Sequence, residues 1–485
     1  MKRRFCVYLC LIIALTGIGC LNGCKESKIS RTTYDINVQL NDNCLYGEEE
    51  VVFFNNTDNA IKELKFNLFG NAFREGAEHS PIAPQYTAKA YPKGINYGDM
   101  QITSVKSQNQ PLKFSICGVD QNVLLVELLE EVFPDEKVSV TITFSLNLAF
   151  VVSRTGINQS TINLANFYPI LCAYDKDGFY ECVYYANGDP FYSECADYKV
   201  SITLDSEYVV ASSGKLLSEE KQADKTKWCY EISSARSFAF VLSKNFESIV
   251  DTSTGVEITY YFYNDENPLS AMETAIKSIN LFNKKFGEYP YPTYAVVQTE
   301  FVQGGMEFPA LVMISDSLEK EAYIEVVVHE TAHQWWQTVV GNNEVEYGFL
   351  DEGLAEYSVV LFYENYPEYN LERNQLIEAS EKTYKLYCSV YDKLFGSVDT
   401  RMIKPLGEFK GEYEYVNLAY IKPCIMYDYL RKTIGEEKFF KGLKKYYESY
   451  KFLNATPSDL VGIYEKLNCD TNGFFESFFE GKVVI

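Results

Sequence analysis

Apolar and polar positions alternate with period two through the first half of the chain. Tyr34, Ile36, Val38 and Leu40 are separated by polar residues, as are Leu64, Phe66 and Leu68. The longest run is Val138, Val140, Ile142, Phe144 and Leu146, interleaved with Lys137, Ser139, Thr141, Thr143 and Ser145. Tyr198, Val200, Ile202 and Leu204 repeat it, then Phe238, Phe240 and Leu242, then Val256, Ile258 and Tyr260. Successive side chains of a strand face opposite ways, so each run predicts a strand with one buried face. Strands in series without helices predict an antiparallel saddle or sandwich over residues 32–250. The period then lengthens. Leu269, Met272, Ile276, Ile279 and Phe282 fall at helical spacing, and Gly287 ends that run. Strands at 294–300 and 311–314 follow, then helical patterns at 373–386, 419–433, 436–450 and 457–467. The fold class is α+β, with residues 251–485 a mainly helical second domain.

The chain begins differently. Lys2, Arg3 and Arg4 precede an apolar run from Phe5 to Ile18, shorter than the roughly 20 residues of a membrane-spanning helix. Leu21-Asn22-Gly23-Cys24 resembles a bacterial lipobox, in which the cysteine is lipidated. Residues 1–23 are therefore expected to be a lipoprotein signal peptide, Cys24 the lipid carrier and residues 24–31 a tether. The expected location is extracytoplasmic, on the membrane through the lipid, or secreted if the lipobox is not used. A cut near Cys20 or an uncleaved anchor are the alternatives. A net charge of −23 repels nucleic acid and anionic headgroups, which excludes both as partners of the folded surface. The thirteen cysteines form no CxxC pair or regular spacing, so neither a thiolate metal site nor a disulfide framework is expected. Cys172 and Cys182 are either a hairpin bridge or buried thiols.

Three histidines occur in the chain, and two of them stand in His329-Glu330-Thr331-Ala332-His333. On a helix this spacing stacks both imidazoles on one face, where one metal ion accepts both. The capping pair Asp316 and Glu319 is expected to open that helix. Catalytic zinc takes three protein ligands and keeps one position open, and Glu352, on a second helix, supplies the third. Such an ion stays net positive, lowers the pKa of bound water and polarises a carbonyl. Glu330 stands where it can take the water proton, and the oxyanion formed on the far side needs a hydrogen-bond donor. Glu356, one turn after Glu352, either braces a zinc histidine or is a solvated glutamate. His79 lies alone in a turn-like context. Residues 166–173 and 187–194, rich in aromatic and turn residues, are either plain loops or the lining of a cleft.

His329-Glu330-x-x-His333 followed by Glu352 is the gluzincin pattern, and the surrounding residues resemble the aminopeptidase N family. Gly304-Gly305-Met306-Glu307-Phe308 is similar to that family's Gly-Ala-Met-Glu-Asn, with Phe308 in place of Asn. Phe349-Leu350-Asp351-Glu352-Gly353-Leu354-Ala355 resembles its Trp-Leu-Asn-Glu-Gly-Phe-Ala, and Tyr420-Ile421-Lys422 its tyrosine and lysine two apart. The resemblance implies a β-saddle followed by a thermolysin-like domain, one zinc ion and peptide substrates with free N-termini. It implies that Gly304, Gly305, Met306 and Glu307 bind substrate, with Glu307 on the α-amine. It makes Tyr420 the oxyanion donor, with Tyr415 as the alternative. It also implies a short member without the helical C-terminal domain of longer ones, and a more open cleft. No match to the saddle's own amine-binding residue is found, and residues 166–173 are where it is expected. A gluzincin endopeptidase and a non-catalytic surface binding lipoprotein are the competing readings.

Overall fold

The computed structural model describes residues 30–481. The expected signal peptide, the Cys24 lipidation site and tether residues 24–29 lie outside the described residues.

An eight-stranded sheet organises the first half. Its spatial order is Lys215–Gln222, Lys225–Ala235, Ala196–Asp205, Thr33–Asn41, Cys44–Phe54, Lys137–Asn147, Asp99–Ser107 and Gln110–Pro111. The alternation in sequence becomes alternation in burial: Tyr34, Ile36, Val38 and Leu40 are buried and the residues between them are not. Two four-stranded sheets and the two-stranded pair Tyr174–Asp175 and Gly178–Phe179 complete this half, and inner residues of the four-stranded sheets share an apolar core with the large sheet. The sheet is not purely antiparallel as expected. Thr33–Asn41 pairs in parallel with Ala196–Asp205, Tyr34 opposite Tyr198. Period two specifies which face is buried but not which way a neighbour runs, and both pairings bury the same residues.

The second half starts with a five-stranded sheet in the order Glu247–Asp251, Glu257–Phe262, Thr293–Thr299, Leu311–Ser315, Gly305–Phe308. The three middle strands are parallel, and Gly305–Phe308 lies antiparallel at the edge. The 250/251 line drawn from the sequence falls inside the first of these strands. Pro268–Lys285 and the motif helix Lys320–Ala332 pack on this sheet, and the long helix Phe349–Asn365 packs on the motif helix, buried over most of its surface rather than along one apolar stripe. The capping box expected at the start of the motif helix does not form. Glu319 is its N-cap without a side-chain bond, and Asp316 instead accepts from the Tyr263 hydroxyl at 2.6 Å. The helix expected at 419–433 begins at Lys422, because a π-turn over Val416–Ile421 precedes it. Among the described residues, no helix is long and apolar enough to cross a membrane.

Candidate metal centre and its cleft

The motif helix delivers His329 from its last turn and His333 as its C-cap residue. The His333 amide still donates to the His329 carbonyl, at 3.2 Å, so the helical spacing survives the cap. Glu352 comes from the first turn of Phe349–Asn365. His329 Nε2 and His333 Nε2 each lie 3.2 Å from Glu352 Oε2, and 3.0 Å from each other. A tetrahedral ion with bonds of about 2.0–2.1 Å would set its ligand atoms about 3.3 Å apart. The far side of each imidazole is already taken. His333 Nδ1 donates to the Trp336 carbonyl at 2.9 Å, and His329 Nδ1 lies 3.3 Å from Glu356 Oε2. These partners occupy both Nδ1 atoms and leave both Nε2 atoms facing Glu352. Two imidazole Nε2 atoms and a carboxylate converging in a buried pocket make a donor set that fits zinc. Burial alone would raise the Glu352 carboxyl, but hydrogen bonds from His329 and His333 outweigh it and hold Glu352 at about 2. Burial would lower His329, but Glu352 and Glu356 bring it up to about 10. The pocket thus favours positive charge between its donors.

Glu330 lies one residue from His329 and is buried, with Oε2 free of any protein donor. Burial, against the pull of His329 and His333, raises its carboxyl to about 7. It packs on Gly305, where a Cβ would stand 2.4 Å from Glu330 Oε1. Glu307, two residues along the same edge strand, approaches Glu330 and His333. Its Oε1 has no partner, and burial pushes its carboxyl well up. Gln334 fixes this strand to the helix: its Nε2 donates to the Phe308 carbonyl at 3.0 Å, and its Oε1 accepts from the Ala310 amide at 2.9 Å. Met306 faces the other way. Its side chain sits with Phe308, Val297 and Met313 in an apolar cluster, so only its backbone is available to a ligand.

Tyr420 arrives on the π-turn Val416–Ile421, a wide turn of the kind that re-aims functional side chains. Its hydroxyl donates to Glu352 Oε1, and its ring stacks on His329 with centroids 5.8 Å apart. Burial and the Glu352 charge push its pKa well up, so the hydroxyl stays a donor. Tyr415 packs edge-on against Tyr420, with its hydroxyl beside Gly188 and Gly348. A cleft of about 420 Å³ opens over His329, Glu330 and Tyr420.

Residues of the first half reach this cleft, but not those of 166–173. Phe167, Tyr168 and Ile170 are buried in the core of the sheets. The segment 187–194 supplies Asp189, which pairs with the buried Arg154. The Arg154 guanidinium stands 5.1 Å from the centroid of Phe191. Tyr86 and Glu412 meet across the cleft, hydroxyl to carboxylate at 2.8 Å. Asp189 lay in a stretch the sequence marked by its turn residues and aromatics. Arg154, Tyr86 and Glu412 carried no signal, since each is a single residue in an ordinary loop or helix end.

Residues 270–478 match the model of the Peptidase family M1 domain. This match covers less than half of the chain. Aminopeptidase M1-A of Oryza sativa subsp. japonica is 29% identical over 214 residues, 40% of this chain and 23% of its own. Aminopeptidase 2, mitochondrial, of Saccharomyces cerevisiae is 28% identical over 212 residues, 41% of this chain and 22% of its own. The match thus spans under a quarter of the length of these curated relatives. Among solved structures, an M1 zinc metallopeptidase from Deinococcus radiodurans superposes over 93% of this chain and 94% of its own, with TM-score 0.64 at 14% identity. A mutant of that metallopeptidase bound to a Tyr-Ser-Ala substrate gives TM-score 0.63 at 15% identity, over the same shares of both chains. The two-part M1 architecture, β-rich first and helical second, is therefore the fold of this chain.

Proposed function

We propose that this chain is a zinc-dependent aminopeptidase, held at the cell surface by a lipid on Cys24, that removes N-terminal residues from peptides. The observation that carries the reading is the convergence of His329 Nε2, His333 Nε2 and Glu352 Oε2, with the free carboxylate oxygens of Glu330 and Glu307 beside them. His329, His333 and Glu352 would hold one zinc ion, which polarises the scissile carbonyl and acidifies water when bound. Glu330, buried and raised to about 7, takes the proton of the attacking water and returns it to the leaving amine. Tyr420 keeps its proton and donates it as a hydrogen bond to the developing oxyanion, turning from Glu352 to do so. Glu307 presents its carboxylate to a substrate's α-ammonium, and Gly304 and Gly305 let the substrate backbone approach. Asp189 lends a further negative charge to that side of the cleft.

The test gives the full chain, solubilised in detergent, one peptide in free and N-acetylated forms, with and without a chelator. Chelator-sensitive release of the first residue from the free form alone is the expected result. Internal cleavage of both forms would replace the reading with an endopeptidase and remove Glu307 from amine binding. No cleavage across a broad peptide panel by zinc-loaded protein would leave a binding lipoprotein. Membrane anchoring is checked separately: Cys24→Ala should abolish incorporation of a labelled fatty acid and release the protein from the membrane fraction.

A further inference from the structure

Behind Glu307 lies a second group of acids that the proposed hydrolysis does not use. Glu307 on the edge strand, Glu344 at the start of the short helix Glu344–Tyr347, and Asp351 in the first turn of Phe349–Asn365 converge. One carboxylate oxygen from each lies within 4.8 Å of the others. All three side chains are buried, none above 4% exposed. Asn342 Nδ2 donates to Asp351 Oδ1 and Gln337 Nε2 to Glu344 Oε1, each at 2.8 Å. Gln337 holds that position at a φ of 130°, a backbone conformation that costs energy in a residue with a side chain. These two amides satisfy one oxygen each. Glu344 Oε2 and Glu307 Oε1 meet no protein donor at all.

Buried carboxylates are normally paired or bound to a metal, because an isolated one costs several kcal/mol or more to desolvate. His333 approaches Glu307, but its Nε2 is turned to Glu352 and His329, and no histidine approaches Glu344 in this group. An all-oxygen donor set with two amide-oriented carboxylates and two free oxygens suits a hard cation rather than zinc. Calcium bonds of about 2.3–2.6 Å place opposite ligand atoms roughly 5 Å apart, which accommodates this spacing. We propose that Glu307, Glu344 and Asp351 form a second, structural cation site that takes a hard divalent ion of the calcium class. The ion ties the edge strand to the two helix starts behind the zinc centre. It holds one oxygen of Glu307 and leaves the other for the cleft. The site uses a different donor set from the zinc centre, and its test reads metal content rather than peptide turnover, so either proposal can fail without the other.

The full chain is loaded with zinc, dialysed to equilibrium against calcium chloride, and its metals are counted by mass spectrometry. One zinc and one calcium per chain are expected, with a calcium-dependent rise in melting temperature. Glu344→Gln should weaken calcium binding by at least about tenfold while one zinc remains, the retained zinc reporting a folded site. Asp351→Asn gives the same readout where Glu344→Gln does not fold. One zinc with no calcium, magnesium or manganese bound overturns the proposal and leaves the three carboxyls sharing protons. So does calcium binding that both variants leave unchanged, or a second site filled only by zinc.

Discussion

Gly305 and Glu330 are in direct contact: a Cβ on Gly305 would lie 2.4 Å from Glu330 Oε1 and 2.6 Å from its Cγ. Gly305 has no positive φ, so the constraint is room, not backbone freedom. An alanine there turns Glu330 away from the histidines without unfolding the strand. Gly305→Ala should therefore lower kcat by about a hundredfold or more, within the range of a misplaced general base, with zinc content unchanged. Gly304→Ala meets only Val326, at 3.4 Å, and should cost less. Steady-state kinetics with metal analysis on both proteins decides it. Equal losses would mean that the contact with Glu330 is not what Gly305 provides.

Glu356 touches the far side of His329, one of the proposed zinc ligands. Its Oε2 lies 3.3 Å from His329 Nδ1 and fixes the ring with Nε2 facing Glu352. Glu356→Ala frees the ring to rotate, and should weaken zinc binding by about 10–100-fold. Competition against a chromophoric chelator measures this. Unchanged affinity would make Glu356 a solvated acid.

Tyr420 makes its bond to Glu352 in the absence of substrate and the proposed bond to the oxyanion only during reaction. Tyr420→Phe removes a transition-state donor, so kcat should fall about 10²–10³-fold with little change in KM or zinc content. If Tyr415→Phe shows that pattern instead, the oxyanion donor is Tyr415.

Glu49 stands at an inward position of Cys44–Phe54, where Leu45, Val51 and Phe53 are apolar, and neither carboxylate oxygen has a donor. Burial raises its carboxyl well above the usual range. The folded state then binds a proton that the unfolded state has lost. The stability contributed by this proton is full below about pH 4.5 and is lost as pH rises toward the folded pKa, at about 1.4 kcal/mol per pH unit. Glu49→Gln should be more stable than the parent at pH 7 and lose that advantage by pH 4.5. Denaturant unfolding at the two pH values checks the sign; an advantage that does not change with pH would show that Glu49 is not buried as a neutral acid.

The zinc-ligand candidates were legible because their geometry is local. A spacing of four on a helix stacks two side chains through backbone hydrogen bonds that involve no other part of the chain, and His329 to His333 keeps that geometry even at the cap. The strands of the first half were legible for the same reason, since alternation is a property of a single strand. The partner of a strand is not local, and the parallel pairing of Thr33–Asn41 with Ala196–Asp205 joins segments more than a hundred residues apart. Met306 shows the same limit at one residue: its motif marks the strand, but the packing of the sheet decides that its side chain turns inward.

The cleft's other groups depend entirely on such long-range packing. Arg154 meets Asp189, Tyr86 meets Glu412, and Glu307 meets Glu344 and Asp351 because separate segments are folded against one another. Their residue types recur throughout an acidic chain, so composition cannot single them out. The sequence alone determined the pairing of His329 with His333 and the placing of Glu330 beside them, where short-range backbone geometry dictates what comes together; Glu352 was marked by its motif and is brought in by helix packing. Only the tertiary structure decided which distant carboxylates, hydroxyls and guanidinium share a buried space with that set, because burial is a property of the assembled core.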